Sequence, residues 1–194
     1  MLENLQKYKI ILASNSPRRR ELLSGLDLNY KVETLPDIEE TYPKHLWREE
    51  IPVYIAKLKA EAYKEKIEKT TLLITADTIV WLNGTVYGKP CDENAAREML
   101  RTLSGQTHDV ITGVCLTGFE KQNVFYAVSS VKFSVLEEEE INYYVDKYKP
   151  YDKAGSYGVQ EWIGYIGVES ISGSFYNVMG LPVRMLYRYL KEWK

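Results

Sequence analysis

Residues 10–23 read Ile-Ile-Leu-Ala-Ser-Asn-Ser-Pro-Arg-Arg-Arg-Glu-Leu-Leu and predict a strand, a turn and a helix in direct succession. The apolar run is typical of a buried strand, and Pro17 stands where a helix begins, with Ser16 as its N-cap. Arginines at positions 18–20 fill the first helical turn, although cations there oppose the helix dipole at a cost of about 0.3–1 kcal/mol each. Together with backbone N–H groups and hydroxyls they suit a phosphate. The alternative is a basic, exposed helix end.

Length and composition exclude several classes of protein. The 194 residues are 45% hydrophobic and 27% charged, as in an ordinary globular domain. A net charge of −2 argues against binding nucleic acid through the whole surface. The chain has no apolar run long enough to span a bilayer, and residues 1–9 are too charged for a secretory signal. Cys91 and Cys115 form neither a disulfide framework nor a zinc motif, which favours a cytoplasmic protein.

The order of apolar segments predicts an α/β fold with a mixed sheet, in one domain spanning residues 1–194. Hairpins interrupt an alternation of strands and helices, and Asn83-Gly84 favours a tight two-residue turn between two of the strands. Asp92 is expected to cap a helix that Gly105 ends. Besides the elements of the opening stretch, strands are predicted at 30–34, 71–76, 78–82, 85–87, 110–116, 126–136 and 168–171, and helices at 52–67, 92–105, 137–148 and 181–193.

Asp77 is the first candidate for catalysis, because it follows the apolar strand predicted at 71–76. Ligands of α/β sheets bind beyond the carboxyl ends of strands. A carboxylate there can hold a divalent cation or accept a proton from water. The alternative is an aspartate that only caps the turn into the following hairpin.

Three lysines are candidates for binding an anion. On the helix predicted at 52–67, Lys59 falls on the apolar face with Ile55 and Leu58, so it either extends its ammonium towards solvent or meets an anion. Lys89 and Lys153 each stand in a short loop that contains glycine, where they either reach a phosphate or are solvated.

Histidine and cysteine chemistry has little support. His45 and His108 lack metal-ligand neighbours, and a triad using His108 lacks a nucleophile elbow. Catalysis therefore has to rest on carboxylates, lysines and a hard cation. The acidic loop with Asp37, Glu39 and Glu40 either adds a metal ligand or is simply solvated.

Eight sequence segments, in order and over nearly the whole chain, resemble the Maf nucleotide pyrophosphatases. They are 13–19 (Ala-Ser-Asn-Ser-Pro-Arg-Arg) with 21–23 (Glu-Leu-Leu), 37–40 (Asp-Ile-Glu-Glu), 56–60, 76–78 (Ala-Asp-Thr), 88–90 (Gly-Lys-Pro), 103–108 (Leu-Ser-Gly-Gln-Thr-His), 152–155 (Asp-Lys-Ala-Gly) with 157–160 (Tyr-Gly-Val-Gln), and 173–174 (Gly-Ser) through 180–182 (Gly-Leu-Pro). One such segment would be a weak signal, but eight in this order are specific.

The resemblance implies an elongated, two-lobed α/β fold akin to inosine triphosphatases, with a central cleft. It implies hydrolysis of a nucleoside triphosphate to the monophosphate and diphosphate, assisted by Mg²⁺ or Mn²⁺. Asp77 matches the proton acceptor, and Glu40 matches a carboxylate that assists the metal. The residues that match phosphate-binding or site-shaping positions of the family are Ser14, Arg18, Arg19, Lys59, Lys89 and Lys153.

The resemblance also implies a base preference. Arg19, Thr78 and Gln160 match the type that acts on dTTP and UTP, whereas the type that acts on 7-methyl-GTP differs at the last two positions. A carboxamide at Gln160 complements the N3–H donor and the adjacent carbonyl of uracil or thymine. Glu161 and Trp162 are less typical of the family, so the resemblance does not define the outer wall of the base pocket.

A non-catalytic nucleotide sensor is the rival interpretation, acting as a regulator of cell division (septum formation) through a protein partner. A sensor would not need Asp77, so its presence with a full set of cations favours an enzyme. The resemblance further suggests a homodimer. No nucleic-acid partner is expected, because the net charge is −2, and no membrane partner is expected, because the chain has no apolar run that spans a bilayer.

Overall fold

The computed structural model describes residues 2–35 and 38–194. The strands are β1 (Lys9–Leu12), β2 (Tyr30–Val32), β3 (Thr71–Leu82), β4 (Thr85–Tyr87), β5 (Thr107–Thr117), β6 (Gln122–Phe133) and β7 (Val168–Ser172). The helices are α1 (Pro17–Ser24), α2 (Glu50–Glu61), α3 (Glu93–Leu103), α4 (Glu138–Tyr148), α5 (Trp162–Gly167), α6 (Phe175–Met179) and α7 (Val183–Lys191). None of the helices within the described residues is both long and apolar enough to cross a membrane.

The strands form a mixed sheet, which confirms the predicted fold class. Its order is β2-β1-β3-β5-β6-β7, and β4 pairs with β3 outside this path. Strand β1 runs parallel to both of its neighbours, with Ile10 opposite Tyr30 on one side and Leu72 on the other. The pairs β3–β4 and β6–β7 are antiparallel.

The strand, turn and helix predicted from the opening stretch are confirmed. Ser16 caps α1, and its hydroxyl accepts a hydrogen bond from the backbone N–H of Arg19 at 3.4 Å. Pro17 is the first helical residue, where its missing N–H costs nothing. Leu22 and Leu23 are buried. The apolar side of this short helix therefore holds the basic first turn at the end of β1.

The predicted strand end at Asp77 is wrong, because β3 runs without interruption from Thr71 to Leu82. Its register with β1 ends at Ile74, and its register with β4 begins at Val80. Asp77 lies between these two ladders. The hairpin itself is confirmed, with positive φ at Asn83 and Gly84 (49° and 84°), as a tight two-residue turn needs.

The helix predicted at 52–67 is shorter than expected. Helix α2 begins at Glu50, with Pro52 in its first turn, and ends at Glu61, and a separate 3₁₀ turn covers Lys64–Lys66. Helices α5 and α6 were not predicted, because six and five residues are too few to display a helical apolar period.

The chain divides into two compact units. The first contains the chain up to Asp77, Thr112–Ala127 and Gly180–Lys194. In its core α2 packs on the strands, with a cluster of Ile11, Ala56, Ala60, Tyr63, Leu73 and Cys115. A Cβ at Gly113 of β5 would lie only 2.5 Å from the backbone of Pro52 and Val53. Glycine at this position therefore lets α2 lie directly on the sheet.

The second unit contains Thr78–Ile111 and Val128–Met179. Helices α3 and α4 pack against each other within it. Helix α3 is capped as predicted, since the Asp92 carboxylate accepts from the Ala95 N–H at 2.8 Å. The largest buried side chains of this unit include Leu100, Leu103, Phe133 and Tyr144.

Candidate active site

Two carboxylates of the first unit meet at one lysine. The Lys59 Nζ lies 2.9 Å from Asp77 Oδ1 and 2.9 Å from Glu40 Oε2. Asp77 is buried, and only 12% of the Lys59 side chain is exposed. Of the two alternatives for this lysine, the structure shows contact with anions, and these anions are carboxylates of the protein itself.

Helix α2 brings Lys59 to Asp77 because Thr75, two residues before Asp77 in β3, is hydrogen-bonded to the helix. The Thr75 hydroxyl is buried and donates to the Ala56 carbonyl of α2 at 2.7 Å. The same helix lies against Gly113 at its first turn. Lys59 follows Ala56 by three residues, and Asp77 follows Thr75 by two. The two attachments of α2 therefore place Lys59 beside Asp77.

Arg19 binds backbone carbonyls next to this cluster. Its Nε donates to the Gly180 carbonyl at 2.9 Å, and its Nη1 donates to the Ala76 carbonyl at 2.8 Å. Burial lowers the pKa of the Arg19 guanidinium from its ordinary value, and the nearby charge of Asp77 acts in the opposite direction. Arginine nonetheless keeps its charge in proteins. Arg19 therefore attaches α1 to the strand residue that precedes Asp77.

The turn between β1 and α1 carries the other candidate anion ligands of this unit. Ser14 is buried, and its hydroxyl accepts from the Ser16 N–H at 3.2 Å. Arg18 is half-buried in the first turn of α1. The hydroxyl of Ser14 thus shapes the turn that leads into the helix N-terminus.

The second unit contains the other predicted lysines. Lys153 is buried, with its Nζ 2.7 Å from Asp152 Oδ1 and 3.1 Å from Glu161 Oε1. Lys89 is exposed. The Gly155 N–H donates to the Gly88 carbonyl at 3.1 Å, so the chain segments that carry the two lysines lie side by side.

The predicted specificity residues of this unit are half-buried Thr78 and Gln160. The Oε1 of Gln160 is buried and has no hydrogen-bond partner among residues 2–35 and 38–194. A buried polar atom left unpaired costs about 1–3 kcal/mol, which a ligand that donates a hydrogen bond would recover. The unpaired oxygen is therefore a candidate acceptor for a ligand.

His108 is a buried residue of the second unit, and its hydrogen bond joins β5 to the segment before Gln160. Its Nε2 lies 2.7 Å from the Tyr157 hydroxyl, and its ring meets those of Phe133 and Tyr157 edge-on. Its Nδ1 has no partner within the described part of the chain. This is an aromatic core contact, and a serine nucleophile is not its partner.

We expect His108 to make folding sensitive to acid. Burial lowers the pKa of His108 from 6.5 to about 4, against the opposing charge of Asp109. Between these two values the unfolded chain binds more protons than the folded one, so stability falls as pH falls. From pH 7.5 to pH 5 the loss is about 2 kcal/mol. Urea unfolding across this range should show it in the wild type and not in His108→Gln, while His45→Gln, at an exposed histidine, keeps the wild-type slope. Parallel curves for wild type and His108→Gln would contradict the assignment.

The carboxylates of the first unit suit a hard divalent cation. Mg²⁺ is commonly bound by one or two carboxylates together with phosphate oxygens of a substrate. Asp77 and Glu40 both contact one cationic group, the Lys59 ammonium, as two carboxylate ligands of a single metal ion would. No group of three or more His, Cys, Asp or Glu residues able to hold a metal occurs within residues 2–35 and 38–194. Asp37, the other acid proposed for this loop, lies outside the described residues.

Sequence reasoning missed the residues that support Lys153. Glu161 accepts a short hydrogen bond from the Tyr144 hydroxyl and also contacts Lys153. The only signal in the sequence was that Glu161 is unusual for the resembled family. Tyr144 carried no signal, since it is one of 16 tyrosines in the chain.

Relatives of known name are similar to this chain over its full length. A protein of Bacteroides thetaiotaomicron named dTTP/UTP pyrophosphatase is 65% identical, covering 99% of this chain and 100% of the relative. One of Porphyromonas gingivalis with the same name is 57% identical, covering 100% and 98%. Another of that name from Flavobacterium psychrophilum is 50% identical, covering 97% and 96%.

The fold is shared with a more distant protein of known structure, the HAM1 protein from Coxiella burnetii. It matches with a TM-score of 0.52 and 17% sequence identity, over 96% of this chain and 100% of that one. The sequence profile of the family described as Maf-like protein matches residues 9–193. Because this match covers nearly the whole chain, the chain belongs to the Maf-like protein family, and its carboxylate–lysine cluster and the basic first turn of α1 lie within the matched residues.

Proposed function

We propose that this protein hydrolyses dTTP and UTP to the nucleoside monophosphate and diphosphate. The observation that carries the proposal is the contact of Asp77 and Glu40 with one lysine, in the unit that also holds the basic turn into α1. The names of relatives at 50–65% identity support the same reaction. The family resemblance and these residues together favour an enzyme over a binding protein.

In this reaction the water oxygen attacks the α-phosphorus, and the bond from that phosphorus to the bridging oxygen of the β-phosphate breaks. Asp77 accepts the proton of the water, and diphosphate leaves with the electron pair of the broken bond. A divalent cation, Mg²⁺ or Mn²⁺, held by Asp77 and Glu40 would polarise phosphoryl oxygens as a Lewis acid. Asp77 is suited to its role because it is buried and oriented by a hydrogen bond from Lys59.

Cationic and hydroxyl side chains bind the triphosphate in this proposal. An ammonium has three N–H donors, so two carboxylates at Lys59 leave one donor for a phosphate oxygen. Such groups stabilise the negative charge that grows on the leaving diphosphate. The residues proposed to contact phosphate are Ser14, Arg18, Arg19, Lys59, Lys89 and Lys153.

Arg19, Thr78 and Gln160 set the base preference in this proposal. Support comes from the buried Oε1 of Gln160, which can accept the N3–H of uracil or thymine. A methylated, positively charged guanine would favour a carboxylate at the same position. The side-chain carboxamide therefore suits a neutral pyrimidine ring.

The test is release of monophosphate and diphosphate from UTP, dTTP, CTP, GTP and 7-methyl-GTP, each with Mg²⁺ and with Mn²⁺. We expect turnover of UTP and dTTP only. Turnover of 7-methyl-GTP in their place would keep the reaction and overturn the assigned preference. Nucleotide that raises the melting temperature without any release of diphosphate would point to a sensor that acts through a protein partner.

Gln160→Glu should shift this preference. The variant replaces a carboxamide with a carboxylate that repels the N3-side carbonyls of uracil, and we expect kcat/KM for UTP relative to 7-methyl-GTP to fall about tenfold to a hundredfold. Steady-state kinetics on both nucleotides measure the ratio. Gln6→Glu makes the same change at an exposed glutamine and should leave it unaltered. An unchanged ratio in Gln160→Glu would remove this residue from base recognition.

We also propose that the protein acts in the cytoplasm. Cys91 is exposed and Cys115 is buried, both as free thiols, a state that a reducing compartment maintains. A homodimer is the assembly that the family resemblance suggests, and sedimentation of the purified chain measures it directly.

A further inference from the structure

The Glu161 carboxylate joins two parts of the second unit. Its Oε1 lies 3.1 Å from the Nζ of Lys153, and its Oε2 accepts a short hydrogen bond from the Tyr144 hydroxyl of α4. The side chain is 20% exposed, and Tyr144 is fully buried. One carboxylate therefore connects the helix α4 to the lysine of the segment 152–160.

Tyr144 extends this connection to the residues beside Gln160. Its hydroxyl also accepts from the Gly158 N–H at 3.0 Å. A Cβ at Gly158 would lie 2.8 Å from the Glu161 Cδ and 3.1 Å from the Gln160 Nε2. The carboxylate of Glu161 and the carboxamide of Gln160 thus both pack against the bare Cα of Gly158, and the Tyr144 hydroxyl holds that glycine in place.

We propose that Glu161 is a positioning residue that aims both the Lys153 ammonium and the Gln160 carboxamide at the nucleotide, an inference that rests on the proposed function. Its Oε1 orients the Lys153 ammonium by direct contact. Its Oε2 orients the Gln160 carboxamide indirectly, through the hydrogen bonds of Tyr144 to Glu161 and to Gly158. Two carboxylates engage Lys153, and the third N–H donor of the ammonium is then left in a defined direction for a phosphate oxygen.

The negative charge of Glu161 distinguishes a positioning role from a role in packing alone. A carboxylate beside a phosphate-binding lysine repels a triphosphate, and partial burial of that carboxylate costs solvation energy. An apolar or amide side chain would fill the same space without either penalty. The ion pair with buried Lys153 offsets part of the solvation cost. For nucleotide binding, the direction that the carboxylate imposes on the ammonium has to outweigh the repulsion.

Two variants that preserve side-chain shape test the contacts of the Glu161 carboxylate with Lys153 and with Tyr144 separately. Glu161→Gln keeps an oxygen for the Tyr144 hydroxyl but turns an NH₂ group towards the Lys153 ammonium. Tyr144→Phe keeps the ion pair with Lys153 but removes the link to Gly158. The probes are inorganic triphosphate, which has no base, and the non-hydrolysable α,β-methylene analogue of UTP, both titrated by calorimetry.

We expect Glu161→Gln to weaken binding of both probes about tenfold, because it loses a charge-assisted contact that aims the lysine. Tyr144→Phe should weaken the UTP analogue by a similar factor and leave inorganic triphosphate unchanged. In kinetics with UTP both variants should raise KM more than they lower kcat. Glu138→Gln alters an exposed acid on the same helix that pairs with Arg101, and it should bind both probes as the wild type does.

Wild-type affinity for both probes in the two variants, whatever their melting temperatures, would overturn the proposal and leave Glu161 a packing residue. If Glu161→Gln does not fold, the selective loss expected of Tyr144→Phe still decides between the two outcomes. Failure of the proposed function is visible separately, because the wild type would then bind the UTP analogue no more tightly than inorganic triphosphate and release no diphosphate from UTP.

Discussion

Asp77→Asn is expected to lower turnover of UTP by about 10²–10⁴-fold while the protein still binds the nucleotide. Asparagine has nearly the same shape as aspartate and can still accept the hydrogen bond from Lys59, so the buried position in β3 remains filled. What the variant loses is the negative charge and the ability to accept a proton from water. Rapid-quench or steady-state kinetics measure turnover, and calorimetry with the non-hydrolysable UTP analogue measures binding.

The matched control for this prediction is Asp146→Asn. Asp146 is an exposed acid of α4 that pairs with Arg97, and its neutralisation should leave turnover within about twofold, since exposed ion pairs contribute little. Turnover near the wild-type level in Asp77→Asn, with the fold intact by circular dichroism, would contradict the assignment of Asp77 as the base.

Arg19→Met should have the largest effect on stability, lowering the free energy of unfolding by about 3–5 kcal/mol. The half-buried Arg19 donates to the carbonyls of Ala76 and Gly180, which the methionine would leave without these donors. Methionine fills much of the same volume, so the loss reports on the hydrogen bonds rather than on a cavity. Urea denaturation measures it, and turnover should fall as well because Ala76 precedes Asp77.

Arg20→Met supplies the comparison within the same helical turn. Its Nη2 lies 3.4 Å from the Asn15 backbone oxygen and 3.5 Å from the Asn15 side-chain oxygen, both long for hydrogen bonds. We therefore expect a loss of less than about 1 kcal/mol. If instead Arg19→Met kept wild-type stability and raised only the KM for UTP, Arg19 would keep its proposed role as a phosphate ligand but would not anchor β3.

Features of the fold that depend on near neighbours in the chain were predictable from the residues. The Ser16 cap of α1, the Asp92 cap of α3 and the turn at Asn83-Gly84 each involve groups within three residues of one another. Their geometry follows from hydroxyl, carboxylate and glycine chemistry and needs no other part of the protein. The strand end predicted at Asp77 was wrong because continuation of β3 depends on its partner strands, which a single segment does not reveal.

The amino-acid sequence by itself determined the family and the chemical groups, because these reside in residue types and their order along the chain. Only the tertiary structure decided what those groups contact. Lys59 meets a carboxylate 18 positions away, and Arg19 binds carbonyls 57 and 161 positions away. Glu161 meets a tyrosine 17 positions earlier. Such contacts form when packed helices and strands bring distant residues together, and the direction of each side chain then follows from burial and hydrogen-bond geometry that no local pattern encodes.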